Sequence, residues 1–431
     1  MTQPTPAPPT GPGSPQDVPP APGQFPVDPA TLPASIRDEL QAPDPVAIDT
    51  SSTELRDGLN HCPKCGSTEI KHRSGSDKLI CLFCRHEWVG ARVEEEFGLG
   101  EGLDDLSGTV IASGAKDIRA DAASVRTFKC TGCGAEVVVN TQTAMTARCH
   151  WCRHVLGVNE QIDNGAVPDA VLPFHIKKDD AVARIRQFVG KRQMFALKAF
   201  KEEFSPENVL GVYLPYMVVD AKASADVAGF GEVETRRYTR GEGKDQKTYY
   251  DADVYQVQRH VDFTVDDLTM ESSATRGNLD TKSNTHNVIN AILPFDTKNA
   301  VKWNASYLVG YTSEKRDRDV AHLSPQLEDQ LLSIARAQVQ SSVRQYDRGV
   351  RWEQERIDVH GTRWVAMYLP VWLYSYQEPG SGTKGMLHYI AVNGRTGETM
   401  GSVPVQQWKL ILAALSVGTV LEAIALWLVA R

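Results

Sequence analysis

The sequence lacks an excess of basic residues, because 46 Lys and Arg stand against 54 Asp and Glu and give a formal net charge of −8. This balance argues against a chain built mainly to coat nucleic acid. The opening residues, MTQPTPAPPT, contain neither a basic segment nor an apolar core, so no secretory signal is predicted. The eight cysteines are therefore expected to be thiols in a reducing compartment rather than four disulfides.

Familiar catalytic motifs are also missing. The sequence has no HExxH motif, no GxSxG nucleophile elbow and no Walker A lysine motif. The glycines of FGLGEGLDD are followed by an acidic run instead of a helix start, which excludes a dinucleotide-binding fingerprint. Asp220, His260 and His388 form no recognisable catalytic constellation. We therefore expect a protein that is not an enzyme, and an enzyme remains the third alternative.

All eight cysteines belong to an internal repeat with a period of 68 residues. Each set has the spacing C-x2-C-x15-C-x2-C, which is typical of paired zinc knuckles. Gly66 and Gly134 suit the positive φ that such tight turns require. Four thiolates complete a tetrahedron around each ion, so two structural Zn²⁺ ions are predicted. The predicted ligands are Cys62, Cys65, Cys81 and Cys84 in the first set and Cys130, Cys133, Cys149 and Cys152 in the second.

The cysteine sets also allow another interpretation. A redox dithiol is the alternative, although such a site usually has a single CxxC. His86, His150 and His154 lie beside the predicted ligands, and we expect them to support the sites or to face solvent because four cysteines already fill each site.

The remaining pattern predicts an α+β fold with two tandem zinc ribbons, a mixed antiparallel-sheet body and one C-terminal transmembrane helix. Helical spacing occurs at Ala181, Ile185 and Val189 and again from Ser324, and strand-like runs include GVYLPYMVVDA and RWVAMYLPVWLYSY. The predicted segments are a disordered Pro-rich tail (1–55), zinc ribbon 1 (56–92), an acidic Gly-rich linker (93–124), zinc ribbon 2 (125–160), an α+β body (165–405) and a transmembrane anchor (408–431).

The tail and the anchor are predicted from composition. The first 50 residues hold 14 of the 24 prolines and cannot bury enough apolar surface to offset the entropy of ordering. Residues 410–430 are almost entirely apolar and, at about 1.5 Å per residue, are just long enough to cross the hydrocarbon core. The anchor predicts a tail-anchored, single-pass protein of the cell membrane. Because the thiols need a reducing compartment, the N-terminal bulk is predicted to lie in the cytoplasm.

Within the predicted anchor, Ala414, Gly418 and Glu422 recur every four residues. This spacing is typical of a close helix–helix interface, and a carboxylate at that depth suggests a function. We therefore expect Gly418 and Glu422 to contact a partner helix within the bilayer.

Local charge bears on whether the ribbons bind nucleic acid. Residues 62–90 carry five basic and three acidic residues, and residues 126–156 carry four and one. A zinc ion with four thiolates contributes about −2, which nearly cancels each excess. Protein binding is therefore favoured. The alternative is a zinc-ribbon regulator that binds nucleic acid in a salt-sensitive way through Arg126, Lys129, Arg148 and Arg153.

Several short segments resemble a known bacterial family. The chain is similar to the membrane-associated transcription factor IIB-type zinc-ribbon-containing proteins. The similarity lies in the hydrophobic C-terminus and in the segments FKCTGCGAEVVV, ARCHWCRH, NGAVPD with VLPF, GVYLPYMVVD and VNGRTGETMGSVPV. The resemblance covers residues 60–431, and the chain has no cyclin-like repeats that would make it an initiation factor. It implies a membrane-anchored scaffold or adaptor that faces the cytoplasm and recruits membrane or stress-response proteins.

Overall fold

The computed structural model describes much of the chain between residues 46 and 429. The described ranges are 46–48, 62–67, 69–73, 75–112, 125–130, 133, 135–140, 147–153, 155–156, 161–162, 168–192, 194–241, 246–273, 292–377 and 387–429. The predicted Pro-rich tail lies outside these ranges except for residues 46–48. Residues 113–124 of the predicted linker, Gly134 and His154 also lie outside them.

Strands dominate the described residues. They are β1 (Val46–Ile48), β2 (Ile70–His72), β3 (Lys78–Cys81), β4 (Glu87–Val89), β5 (Gly108–Ala112), β6 (Val125–Lys129), β7 (Glu136–Asn140), β8 (Ala147–Arg148), β9 (Val155–Leu156), β10 (Gln161–Ile162), β11 (Ala170–Val171), β12 (Val209–Arg240), β13 (Lys247–Glu271), β14 (Val301–Lys302), β15 (Thr312–Glu314), β16 (Val350–Gln377), β17 (Leu387–Asn393) and β18 (Thr399–Gly401). The helices are α1 (Val93–Phe97), α2 (Lys178–Gly190), α3 (Lys198–Glu203), α4 (Val320–Val339) and α5 (Gln407–Val429). Short 3-10 turns occupy Leu103–Asp105, Pro206–Asn208, Thr297–Asn299, Ala305–Leu308 and Gln340–Val343.

Three unusually long strands form the frame of a 13-stranded sheet. β12 has 32 residues and pairs antiparallel with both β16, of 28 residues, and β13, of 25 residues. The run GVYLPYMVVDA at the start of β12 is buried on both faces, which explains why apolar residues follow one another without alternation. The other described sheets are β2-β3-β4 and the pair β8-β9.

β12 also separates the apolar core into layers, because successive side chains of a strand point to opposite faces. Val212 and Leu214 lie in one hydrophobic cluster. Tyr213, on the other face, packs in a second cluster with residues of α2, whereas Met217 and Val219 pack in a third with residues of α4. Both faces of the central strands are therefore covered.

The helices at 181–189 and from Ser324 are confirmed. α2 buries Ala181 and Ile185. α4 buries leucines at four-residue spacing along one face. This helix begins one turn before Ser324, because the Asp319 carboxylate accepts a hydrogen bond from the His322 backbone N–H at 3.0 Å and caps the helix there.

The predicted fold class is nevertheless wrong. Among the described residues, 45% lie in strands and 27% in helices, so the structure is mostly β-sheet instead of α+β. The runs interpreted as short strands of a body are parts of strands 25 to 32 residues long, whose pairing partners are distant in sequence. Local hydrophobic patterns do not encode such length.

The predicted transmembrane anchor at 408–431 is also wrong. α5 occupies this segment, and no helix in the described ranges is long and apolar enough to cross a membrane. The sequence interpretation treated 410–430 as one span, whereas Ser416, Thr419 and Glu422 divide the apolar residues of α5 into shorter runs. The tail-anchored topology, the lipid-bilayer contact and the cell-membrane localisation were inferred from that span and are corrected with it.

Candidate metal centres

The first cysteine set converges around a single point. Cys62 and Cys65 precede β2, Cys81 ends β3, and Cys84 lies in the turn before β4. The Sγ atoms of Cys62 and Cys84 are 3.7 Å apart, and those of Cys65 and Cys81 are 3.6 Å apart. Bonds of about 2.3 Å from zinc to sulfur in a tetrahedron place the sulfurs about 3.8 Å apart. The set is therefore positioned to bind a metal ion.

Local backbone geometry holds the first set in place. The Gly66 N–H donates to the Cys62 carbonyl at 2.9 Å, and the Arg85 N–H donates to the Cys81 carbonyl at 3.0 Å. Gly66 has a φ of 71° and Arg85 a φ of 60°, so both turns pass through the left-handed region. The positive φ predicted for Gly66 is confirmed, whereas Arg85 adopts the same conformation without the freedom of glycine.

The second cysteine set repeats this geometry. Cys130 follows β6 and Cys149 follows β8. The Sγ atoms of Cys130 and Cys152 are 3.4 Å apart, and those of Cys133 and Cys149 are 3.5 Å apart. Arg153 takes the role of Arg85, with a φ of 64° and an N–H that donates to the Cys149 carbonyl at 2.8 Å. This set is also positioned to bind a metal ion.

The two centres differ in how they are joined to the large sheet. β6 and β7 of the second centre form a hairpin, and β7 pairs with β15, which in turn pairs with β12. Cys130 and Cys149 are buried in the same hydrophobic cluster as Val212, and the neighbouring Trp151 ring lies 4.8 Å from the Tyr389 ring. A metal ion at the second centre would therefore lie against the main core.

The first centre instead forms its own sheet, β2-β3-β4, whose Ile70 and Leu79 side chains are buried in the same hydrophobic cluster as Tyr213. The turn between β2 and β3 adds polar contacts to the rest of the structure. Within this turn, the Asp77 carbonyl accepts a hydrogen bond from the Tyr307 hydroxyl at 3.3 Å, and the Asp77 carboxylate pairs with Arg395. The His72 ring packs 5.2 Å from the Tyr307 ring. These contacts fix the first centre on the side of the molecule where β17 turns into β18.

Hydrogen bonds within each set stabilise one sulfur as a thiolate. The pKa of Cys81 is lowered to about 6, mainly because the Cys84 backbone N–H donates to its sulfur at 3.4 Å. The pKa of Cys130 is lowered because the Cys133, Cys149 and Cys152 thiols donate to it. Thiolates are the metal-binding form of cysteine, so a metal ion would meet one prepared ligand and displace the remaining protons.

The other sequence-predicted residues have separate surroundings. His86 stacks on Trp88 with a ring separation of 5.8 Å, and His150 lies 3.3 Å from the Thr312 hydroxyl. Neither histidine belongs to the two cysteine groups whose donor atoms converge. Arg153, one of the four ribbon cations considered for nucleic acid, is engaged in an ion pair with Glu203.

The structure brings together an acidic group that sequence reasoning missed. Asp220, Asp266 and Asp267 each offer an oxygen within 4.8 Å of the others. Asp220 is buried and accepts from the Gly100 N–H at 2.8 Å and from the Asp267 N–H at 3.1 Å, while Arg363 lies 3.4 Å away. Burial raises the pKa of Asp220. These bonds tie the glycine-rich segment to β12, and no sequence motif marks the pairing.

His260 and His388 lie among different partners. His260 pairs with Asp226 at 2.8 Å and with Asp262 at 3.4 Å on the exposed part of β13. His388 is buried on β17, 3.1 Å from the Ser402 hydroxyl. Neither histidine is among the partners of Asp220 described above.

Comparison with known proteins finds a distant sequence similarity. The chain is 22% identical to the uncharacterized protein YdjG of Bacillus subtilis (strain 168) over 251 residues, which cover 58% of this chain and 68% of YdjG. No family model matches the chain, and no solved structure matches it. This likeness is too low to assign a family.

Proposed function

We propose that each cysteine set binds one Zn²⁺ and that both ions are structural. A tetrahedral set of four sulfurs favours zinc or an iron–sulfur group among biological metals, and the sulfur separations of 3.4–3.7 Å fit the edges of a single-ion zinc tetrahedron. The resemblance of both sets to zinc ribbons supports the same ion. Four protein ligands leave no position for a water molecule, so the ions stabilise folding and would not activate a nucleophile.

We further propose that the protein is a scaffold or adaptor that recruits other proteins. The observation that carries this proposal is the surface of α5. Leu415 is 61% exposed and Leu421 is 60% exposed, and other large apolar side chains along the helix are similarly uncovered. Soluble monomers rarely leave a continuous apolar surface of this kind open, and such surfaces usually mark interaction sites. The zinc-stabilised sheet would then provide the rigid support from which α5 is presented.

Site-specific photo-cross-linking tests the adaptor proposal. A photoreactive amino acid is placed at Leu415 or at Leu421 of the full-length protein, and Met194, an exposed apolar residue outside α5, serves as the matched control position. After irradiation in cells, both α5 positions should give the same discrete protein adducts, which the control position should not give. Adducts that are absent at α5, or identical at all three positions, would contradict recruitment through this helix.

A further inference from the structure

The long strands extend beyond the core as a two-stranded hairpin. β16 begins at Val350, opposite Gly231 of β12, and the Glu232 backbone still bonds to Gly349 and Arg348. Beyond Glu232, β12 pairs only with β13 among the described strands. In this part, Tyr238 lies opposite Tyr249 and Arg240 lies opposite Lys247. From Glu232 onward the described side chains of β12 are half-buried or exposed. The hairpin tip therefore contributes little to the core and is available for binding.

One side of the hairpin tip is basic and aromatic. Arg236, Tyr238 and Arg240 alternate along β12 and so point to the same side. The Arg236 and Arg240 guanidinium carbons lie 5.7 Å and 5.2 Å from the centre of the Tyr238 ring. Tyr249 stacks on Tyr238 with a ring separation of 6.0 Å and an angle of 19°. We call Arg236, Tyr238, Arg240, Lys247 and Tyr249 the basic face.

Charges next to the basic face are compensated by acids. Arg237 pairs with Glu234 through two hydrogen bonds of 2.9 Å. Arg348 lies 3.8 Å from the centre of the Tyr250 ring and pairs with the same glutamate at 3.5 Å. The Tyr250 hydroxyl in turn donates to Glu232 at 3.1 Å. These neighbouring cations are already satisfied by carboxylates of the hairpin.

Among the described residues, the cations of the basic face differ from these neighbouring cations. Within the described ranges, Arg236, Arg240 and Lys247 form no ion pair, although Asp251 stands opposite Arg236 in the strand register. Tyr249 leaves 45% of its surface exposed beside them. Among the described residues of the hairpin, two arginines without an ion pair therefore lie against the stacked rings, and Lys247 stands opposite one of them in the strand register. The chemistry that matches it is a flexible polyanion that also carries flat aromatic groups.

We propose that the basic face binds single-stranded nucleic acid. Phosphates would contact Arg236, Arg240 and Lys247, and a base would stack on the exposed ring of Tyr249, since cationic grooves with aromatic platforms are how proteins bind single strands without strict sequence preference. Arg236 and Arg240 are four residues apart on a strand, which separates their backbones by about 13 Å. The face therefore fits a short stretch of a few nucleotides. An acidic peptide would satisfy the cations but would leave the stacked rings without a matching group.

Binding of a fluorescent oligothymidylate to the metal-loaded full-length protein tests this proposal by anisotropy. For three phosphate contacts on a single strand, a plot of the logarithm of the association constant against the logarithm of the salt concentration has a slope of about −2. The affinity should therefore fall roughly twentyfold from 50 to 200 mM salt. The double variant Arg236→Gln/Arg240→Gln should bind more weakly and lose only about threefold over the same range. The matched control Arg351→Gln/Arg356→Gln removes two exposed but ion-paired charges and should behave as the unmodified protein.

The aromatic contribution has its own control. Tyr249→Ser should weaken binding about fivefold or more, whereas Tyr249→Phe keeps the ring and should retain the affinity. Circular dichroism checks that each variant keeps its β-sheet signal. Equal binding by Tyr249→Ser and the unmodified protein, an unchanged salt slope for the arginine variant, or tighter binding to polyglutamate or to phosphatidylserine vesicles than to the oligonucleotide would overturn the proposal. The cross-linking from α5 is independent of all these outcomes.

Discussion

Arg395 links the first metal centre to the turn between β17 and β18. It lies in the turn between β17 and β18, and its side chain is only 6% exposed. The guanidinium pairs with Asp77 of the first centre and, at 3.2 Å, with Asp296, and it also donates to the Pro173 carbonyl at 3.4 Å. Three separate segments therefore depend on one cation.

Replacing Arg395 with Met keeps an unbranched side chain of similar length but removes the charge. Asp77 and Asp296 would then both lose the cation that they share. Breaking a buried pair by removing one partner costs about 3–5 kcal/mol. Because the Asp77 and Asp296 side chains are 20% and 41% exposed, water compensates part of this loss. We therefore expect the free energy of unfolding to fall by about 2–3 kcal/mol.

Urea unfolding of the zinc-loaded protein, followed by circular dichroism, measures this loss. The control Arg356→Met removes a side chain that is 75% exposed and paired with Asp358 at 2.9 Å, so it should change the free energy of unfolding by less than about 0.5 kcal/mol. Adding Asp77→Asn to Arg395→Met should recover part of the loss, since it removes one unpaired carboxylate. Equal stabilities of Arg395→Met and Arg356→Met would refute the role of Arg395.

Two further predictions concern other parts of the sheet. Burial raises the pKa of Asp267 to about 6, so ionisation of this carboxyl opposes folding as the pH rises from 3.8 to 6. Asp267→Asn removes the ionisable group, and asparagine also tolerates the φ of 54°. In urea unfolding this variant should be more stable than the unmodified protein by about 1–3 kcal/mol above pH 6 and equally stable below pH 4. A methyl group on Gly229 would collide with the Arg351 carbonyl and come within 2.8 Å of the Trp352 Cα. Gly229→Ala should therefore lower the melting temperature by several degrees. The control Gly190→Ala places its methyl group in open space and should leave the melting temperature unchanged.

The metal centres could be predicted from sequence because their information is local. Each pair of cysteines is three positions apart, and a tight turn is enough to bring both sulfurs to one ion. The left-handed conformations at Arg85 and Arg153 had no residue-type signal, since arginine is not favoured there. They follow from the hydrogen bonds from their backbone N–H groups to Cys81 and Cys149.

The fold required information that single segments do not carry. Val212 pairs with Val371 across the sheet, 159 positions along the chain, and nothing in either run specifies the other. Sequence patterns found the apolar halves of β12 and β16 but not their polar extensions, because exposed hairpin residues resemble loop residues in composition. The basic face was missed for the same reason: its residues converge only when the strand register is known.

The anchor was misjudged from composition alone. Counting apolar residues over 410–430 gave a favourable sum, yet the described α5 does not meet the length and apolarity that a membrane span needs. The exposed leucines of α5 instead support the proposed role in binding other proteins.

We propose that the two cysteine sets each hold one structural zinc ion. Native mass spectrometry with elemental analysis of the full-length protein measures this directly. We expect two zinc ions per chain, with one lost in Cys81→Ser and one lost in Cys149→Ser. A chain that retains its β-sheet signal but carries no zinc, or that carries iron at either set, would rule out two structural zinc sites.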